Sequence, residues 1–388
     1  MEATTAVIWL TLITTIGTPT SDNVTDAGID YNVSSSPSHP SSPSSSSRRY
    51  SYVSPTVTMV FYVASTLIAV VGFLANTYVL LALLLSKNSH GSNVNVFITH
   101  QTVLDLTACA FLVFGIFANL WQTKMNDSLA LFVCWFFQTF SIASTAGNAS
   151  VCGLMIITIE RYVKIVHPVA HRNHYRPWMT RVGIVLPWIF GICTDLIPAW
   201  ATSKVVRGVC FRRQKWSNGV YQLVWSVVKF LLLYVGPLFV FVFGYGKILA
   251  AIRRQRMQVE HSHPQGTSNA TTTDKSSRRT EMNVIRTMVV VAVSFALCFA
   301  CWQFYTILTR LGVPSSGEFR LIFSVFAYGN RCLNPFIYAT QYDVVRRWWR
   351  VVVCRAVRGQ HADDAPSTMP DGPRHQQTTT IHVTSKNI

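Results

Sequence analysis

Four ionisable residues, Asp105, Asp195, Lys229 and Arg331, lie inside stretches that otherwise carry no charge. A charge in hydrocarbon costs roughly 3 kcal/mol or more, so each implies a partner or a task. Asp105 and Arg331 both fall near the middle of their stretches and are expected to pair. Asp195 and Lys229 fall in the outer parts of theirs. They either satisfy each other, or Lys229 faces a cavity as an anion anchor. Two short polar signatures close other apolar runs: Glu160-Arg161-Tyr162, and Asn334-Pro335-Phe336-Ile337-Tyr338. An acid beside an arginine at a helix end can hold that arginine against its own helix. Pro335 and Pro237 remove backbone donors inside helices, which permits kinks that neighbours must satisfy. No metal-ligand cluster, nucleophile triad or phosphate-cradling glycine loop is present, so neither an enzyme nor a metal or cofactor is expected.

The elements that must hold these residues are long and apolar. The chain has 388 residues, 50% of them apolar and 13% charged, with a mean hydropathy of +0.30. A soluble domain carries about twice that charge. A helix needs roughly 20 apolar residues to cross a bilayer. The spans expected are Pro55–Ser86, Val94–Thr123, Ser128–Ile159, Val182–Ser203, Trp216–Gly246, Thr287–Thr309 and Leu321–Tyr342. With the N-terminus outside, the short inner segments hold 19 Lys and Arg against 10 outside, the bias that sets topology. The net charge of +17 is then a topology signal, and nucleic acid is a poor partner for it. Transporters often carry internal repeats; none is visible between the halves, which disfavours a transporter or channel.

That topology sorts the nine cysteines. Cys134 and Cys210 face the oxidising side and form the candidate disulfide; the others lie in spans or inside. Residues 1–54 include a Ser/Pro tract and read as a disordered, glycosylated outer tail. Asn23 and Asn32 there, and Asn126 in the first outer loop, are acceptors for N-linked glycans. Asn148-Ala-Ser150 and Asn269-Ala-Thr271 match the same pattern but fall in a span and inside the cell. Ala6–Ile16 has the apolar character of a signal segment without the preceding positive charge, so its cleavage stays open. A basic inner loop is expected over Arg253–Arg286, mobile across His261–Lys275. After the receptor-like core of residues 55–342, residues 343–354 form a short amphipathic helix on the inner membrane face. Cys354 at its end is a candidate for palmitoylation. Residues 355–388 read as a disordered cytoplasmic tail.

Taken together, the chain resembles a rhodopsin-like G-protein-coupled receptor from about Pro55 to Cys354. The landmarks are Asn76, Asp105, Glu160-Arg161-Tyr162, Trp188, Pro237 with Tyr245, Cys301-Trp302 and Asn334–Tyr338, one set per span in the family's order. The resemblance implies an all-α bundle of seven transmembrane helices with an eighth on the surface. It implies a plasma-membrane receptor that passes an outside signal to a heterotrimeric G protein, with arrestin and receptor kinases as further partners. It assigns switching roles to Glu160, Arg161, Tyr162, Tyr245, Asn334, Pro335 and Tyr338. It also makes Asn76, Asp105, Ser150, Asn330 and Arg331 an intramembrane polar network, in which sodium usually binds and Arg331 replaces a small residue.

The chain departs from the family in three places. Phe304 stands where most members have proline, Cys298 where many have phenylalanine, and Cys134 to Arg161 spans 27 residues, about two more than usual. A rearranged outer end of the third span is the expected result. Amine receptors carry an aspartate where Ala143 stands, and opsins a lysine near Tyr328, so both classes are disfavoured. A peptide is the first expectation for the ligand, a small anionic or lipid ligand the second, and a receptor-like binder that does not couple the third. Lys229, Trp302, Gln303, Arg310, Arg320 and Tyr328 are the candidate ligand contacts. Lys204, Arg207, Arg212, Arg213 and Lys215 add a basic outer rim.

Overall fold

The structure is a computed structural model that describes residues 53–85, 93–121, 126–206, 208–211, 216, 218–262, 272–342 and 345–348. Six helical spans among them are long and apolar enough to cross a membrane. The seventh, Gly317–Gln341, is about 37 Å long at 1.5 Å per residue and more polar, with Glu318, Arg320 and Arg331. The first span packs on the second and the seventh, the second on the third, the fifth on the sixth, and the sixth on the seventh. The third is central, touching the second, fourth and fifth. Polarity is inverted relative to a soluble fold. Leu297 is 70% and Val242 75% exposed on the outer surface, whereas Asn76, Asp105 and Asn334 are fully buried. Lipid is the solvent that such a surface suits.

Three spans contain a wide π-helical turn: Cys134–Gln138, Ile192–Leu196 and Leu231–Val235. The first belongs to the rearrangement expected from the long interval before Arg161. After it the third span breaks at Phe140, which adopts the left-handed conformation (φ 54°, ψ 24°), and resumes as Ser141–Val166. Side chains supply the hydrogen bonds the break removes. Thr139 Oγ1 donates to Trp135 O at 2.9 Å, and the Ser141 hydroxyl reaches the same carbonyl. Asn119 Nδ2 donates to Gln138 O, and Gln138 Nε2 to Ala118 O, which ties the break to the second span. The sixth span is continuous from Thr272 to Arg310, as its lack of proline allows.

The inner loop between the fifth and sixth spans is shorter than expected. Helix continues to Ser262 and restarts at Thr272, because Arg, Gln, Glu and Met are good helix formers once the chain has left lipid. On the outer side, Lys204–Val206 (β1) and Val209–Phe211 (β2) form an antiparallel hairpin, which the Cys134–Cys210 disulfide ties to the third span. The described residues up to Arg346 belong to one compact unit. Helical backbone resumes at Val345, with Arg346 N donating to Tyr342 O at 3.0 Å. The rest of the expected eighth helix, Cys354, Asn23, Asn32, and Arg207, Arg212, Arg213 and Lys215 of the rim all lie outside the described residues.

Candidate functional site

At the inner end of the third span, Glu160 and Arg161 are 7% and 5% exposed. Arg161 Nη2 donates to Glu160 Oε1 at 2.6 Å while Nε donates to Oε2. This is the two-pronged geometry in which guanidinium and carboxylate bind best. One turn earlier, Thr158 Oγ1 spends its proton on Leu154 O, so in its 2.9 Å contact with Tyr245 the tyrosine OH is the donor. That bond joins the third span to the fifth beside the arginine. Tyr162 points outward to His167, 3.3 Å from OH to Nε2. Tyr338 is fully buried, and Tyr342 OH donates to Asn95 Oδ1.

His171 follows on the short helix Pro168–His174, its Nε2 3.8 Å from Glu160 Oε1. Burial pushes its pKa below the ordinary 6.5; Glu160 opposes the shift, and Lys164 and Arg161 reinforce it. His171 is therefore neutral at pH 7.

The middle of the bundle is polar. Asp105 accepts from Ser150 Oγ at 2.8 Å and from Asn334 Nδ2 at 2.7 Å, and Gln101 Nε2 donates to Ser150 Oγ. Pro335 cannot donate to the carbonyl four residues earlier, and that carbonyl, Arg331 O, accepts from Asn76 Nδ2 at 3.3 Å instead. The first and seventh spans are thus joined at the proline. Asn330 is buried as well, its Oδ1 making no hydrogen bond.

The expected Asp105–Arg331 pair does not form: no ion pair within 4.0 Å joins them among the described residues. The arginine's long stem carries its guanidinium away from Asp105, to Gly147 on the third span and the Tyr328 ring, 5.9 Å from the ring centre. Similar depth of two α-carbons did not mean contact of their side chains.

Toward the outer end, Lys229 Nζ lies 3.3 Å from Asp195 Oδ2. Asn148 Nδ2 contacts the same oxygen at 3.4 Å and Thr194 Oγ1 at 3.2 Å. The third, fourth and fifth spans meet there, at the start of one π-helical turn and just before another. Lys229 is therefore engaged inside the bundle, which is the first of its two expected readings. Arg310 bonds Gln222, whose carboxamide oxygen accepts from Nη1 at 2.9 Å and Nη2 at 3.2 Å. Gln303 is buried, and Trp302 and Arg320 are half-buried. Tyr328 packs against a cluster of Ala69, Leu112, Ile116 and Ala143. Lys204 lies over Phe211, 5.7 Å from its ring centre. Asn126 is exposed where the third span begins.

A family model described as "7 transmembrane receptor (rhodopsin family)" matches residues 75–338. The chain belongs to this family. Somatostatin receptor type 5 of Bos taurus is 26% identical over 231 residues, 57% of this receptor and 58% of that one. Melanin-concentrating hormone receptor 1 of Rattus norvegicus is 27% identical over 311 residues, 76% and 80% of the two chains. Trace amine-associated receptor 6 of Homo sapiens is 23% identical over 336 residues, 81% and 90%. The match to the somatostatin receptors spans under two thirds of their length, 58% in Bos taurus and 61% in Rattus norvegicus.

Sequence reasoning missed Asn148, His171 and Thr158 in this receptor. Asn148 carried one signal, a glycan acceptor pattern that a buried residue cannot use. Thr158 and His171 differ from ordinary helix residues only in what the fifth span and the second inner loop bring beside them.

Proposed function

We propose that this receptor lies in the plasma membrane with its N-terminus outside and converts binding of an extracellular peptide into activation of a heterotrimeric G protein. The observation that carries the reading is the buried Glu160–Arg161 fork beside the Thr158–Tyr245 bond. A permanently charged arginine held at the inner mouth of the bundle can be released when the fifth and third spans part. Its release would change the charge and shape of that face for a partner. Asn334, Pro335 and Tyr338 extend the same path along the seventh span, and Asp105 with Ser150 and Asn76 holds its middle.

Orientation is supported by the Cys134–Cys210 bond at the start of the third span, since disulfides persist on the oxidising side. The first span starts at that same end, where Ser54 N donates to Glu318 Oε1 at the start of the seventh. Two of the relatives above are named for peptides, somatostatin and melanin-concentrating hormone, which supports a peptide ligand. Trp302, Gln303, Tyr328 and the Gln222–Arg310 pair are its proposed contacts, with Arg320 at the rim. Lys229 would shape that wall through Asp195. The Ser/Thr-rich tail suits receptor kinases and arrestin.

The test is guanine-nucleotide exchange on a reconstituted G protein during a peptide-library screen. Arg161→Ala should lower ligand-driven exchange by about 100-fold, the scale of about 3 kcal/mol, at unchanged surface expression. Exchange that survives the substitution undiminished would sink the coupling role of Arg161.

A further inference from the structure

We propose that Arg331 anchors a carboxylate at the floor of the ligand cavity, so that the ligand presents a carboxylate beside an apolar group. This rests on the receptor reading above and names the chemistry of its ligand. Arg331 is 7% exposed, and a guanidinium stays charged even when buried. Its Nε has no hydrogen-bond partner. The nearest carboxylate of the polar core, Asp105, gives its two oxygens to Ser150 and Asn334.

The guanidinium rests on the bare backbone of Gly147, where an added Cβ would stand 1.7 Å from Nη2, 2.4 Å from Cζ and 2.5 Å from Nε. Only glycine leaves that room. Gly147 is one turn inward of Ala143, and Arg331 is one turn inward of Tyr328. Ala143 and Tyr328 belong to the apolar cluster that also contains Ala69, Leu112 and Ile116. The fork therefore sits one turn below an apolar layer, with the Tyr328 ring 5.9 Å away. An apolar wall above a planar two-pronged donor matches a carboxylate on an apolar body, because the fork fits carboxylate geometry and the wall fits what bears it. Lys229, the other basic residue in the spans, is held by Asp195 and is not offered in the same way.

Such a carboxylate has two sources, a peptide C-terminus or a small organic acid, and the experiment separates them. Purified full-length receptor is unfolded thermally in detergent at matched ionic strength. One arm titrates sodium phenylacetate against phenylacetamide; the other titrates a pool of tripeptides with free C-termini against the same pool amidated. In at least one arm the acid should raise the melting temperature while its neutral partner does not. Arg331→Gln should weaken the response by about 30-fold, the loss expected for one buried charge-assisted pair, and Arg331→Lys should restore part of it. The proposal is overturned by equal shifts from acid and amide, by an unchanged response in a folded Arg331→Gln, or by no shift in either arm up to the solubility limit. The wild-type comparison stands even where a variant does not fold. Nucleotide exchange that persists while both arms stay flat removes the carboxylate site and leaves the receptor reading intact.

Discussion

Arg161 and Lys229 are both basic residues in contact with an acid, yet their surroundings ask different things of them. Arg161 bonds its chain neighbour, so the pair was legible in three consecutive letters. Lys229 bonds Asp195, 34 residues away, and two readings stayed open until the fourth and fifth spans were placed. Lys229→Met should cost about 2 kcal/mol, because it leaves a buried carboxylate with less compensation. Adding Asp195→Asn should recover most of that, measured as a double-mutant cycle on thermal unfolding; additive losses would show that the two do not interact. Arg331 was the residue whose position the sequence could not give, since a long side chain can reach a turn away from its own α-carbon. His171 gives a pH signature. Its pKa is depressed in the folded protein, so the unfolded chain binds the extra proton first. Stability is therefore full above the ordinary 6.5 and falls as pH drops below it. Unfolding temperature measured from pH 7.5 to 5 should decline less in His171→Gln than in the wild type.

Among the elements, the third span departs most from a plain helix. Its length between Cys134 and Arg161 signalled a rearrangement, and lipid dictates the form it takes: buried backbone groups must find partners within the protein. Thr139, Ser141, Asn119 and Gln138 provide them. A wide turn followed by a left-handed Phe140 was not readable in advance, because nothing local favours a bulky aromatic at positive φ. What holds it is the second span, where Gly115 lies under the ring. A Cβ at Gly115 would stand 2.5 Å from Phe140 Cδ1. Gly115→Ala should lower stability by about 1–3 kcal/mol through overpacking, read as a lower melting temperature. An unchanged value would mean that the ring moves freely.

For the molecule as a whole, the bundle was legible because each span repeats one demand, that of hydrocarbon for apolar surface, and because polar landmarks recur in a fixed order. The ligand was not, because a cavity is made by several spans at once. The disulfide is the one covalent link between an outer loop and the bundle among the described residues. Its two cysteines are 76 residues apart, and closing so long a loop stabilises by about 4 kcal/mol in the chain-entropy model. Replacing both Cys134 and Cys210 with serine should lower the unfolding temperature, and reductant should then have no further effect. The left-handed joint at Phe140 also governs how this protein can be spliced to its cousins. Relatives with an unbroken third helix would supply an outer portion out of phase with Ser141 and everything below it. A chimera joined within residues 134–140 should therefore misfold, whereas one that exchanges the joint together with Asn119 should be tolerated.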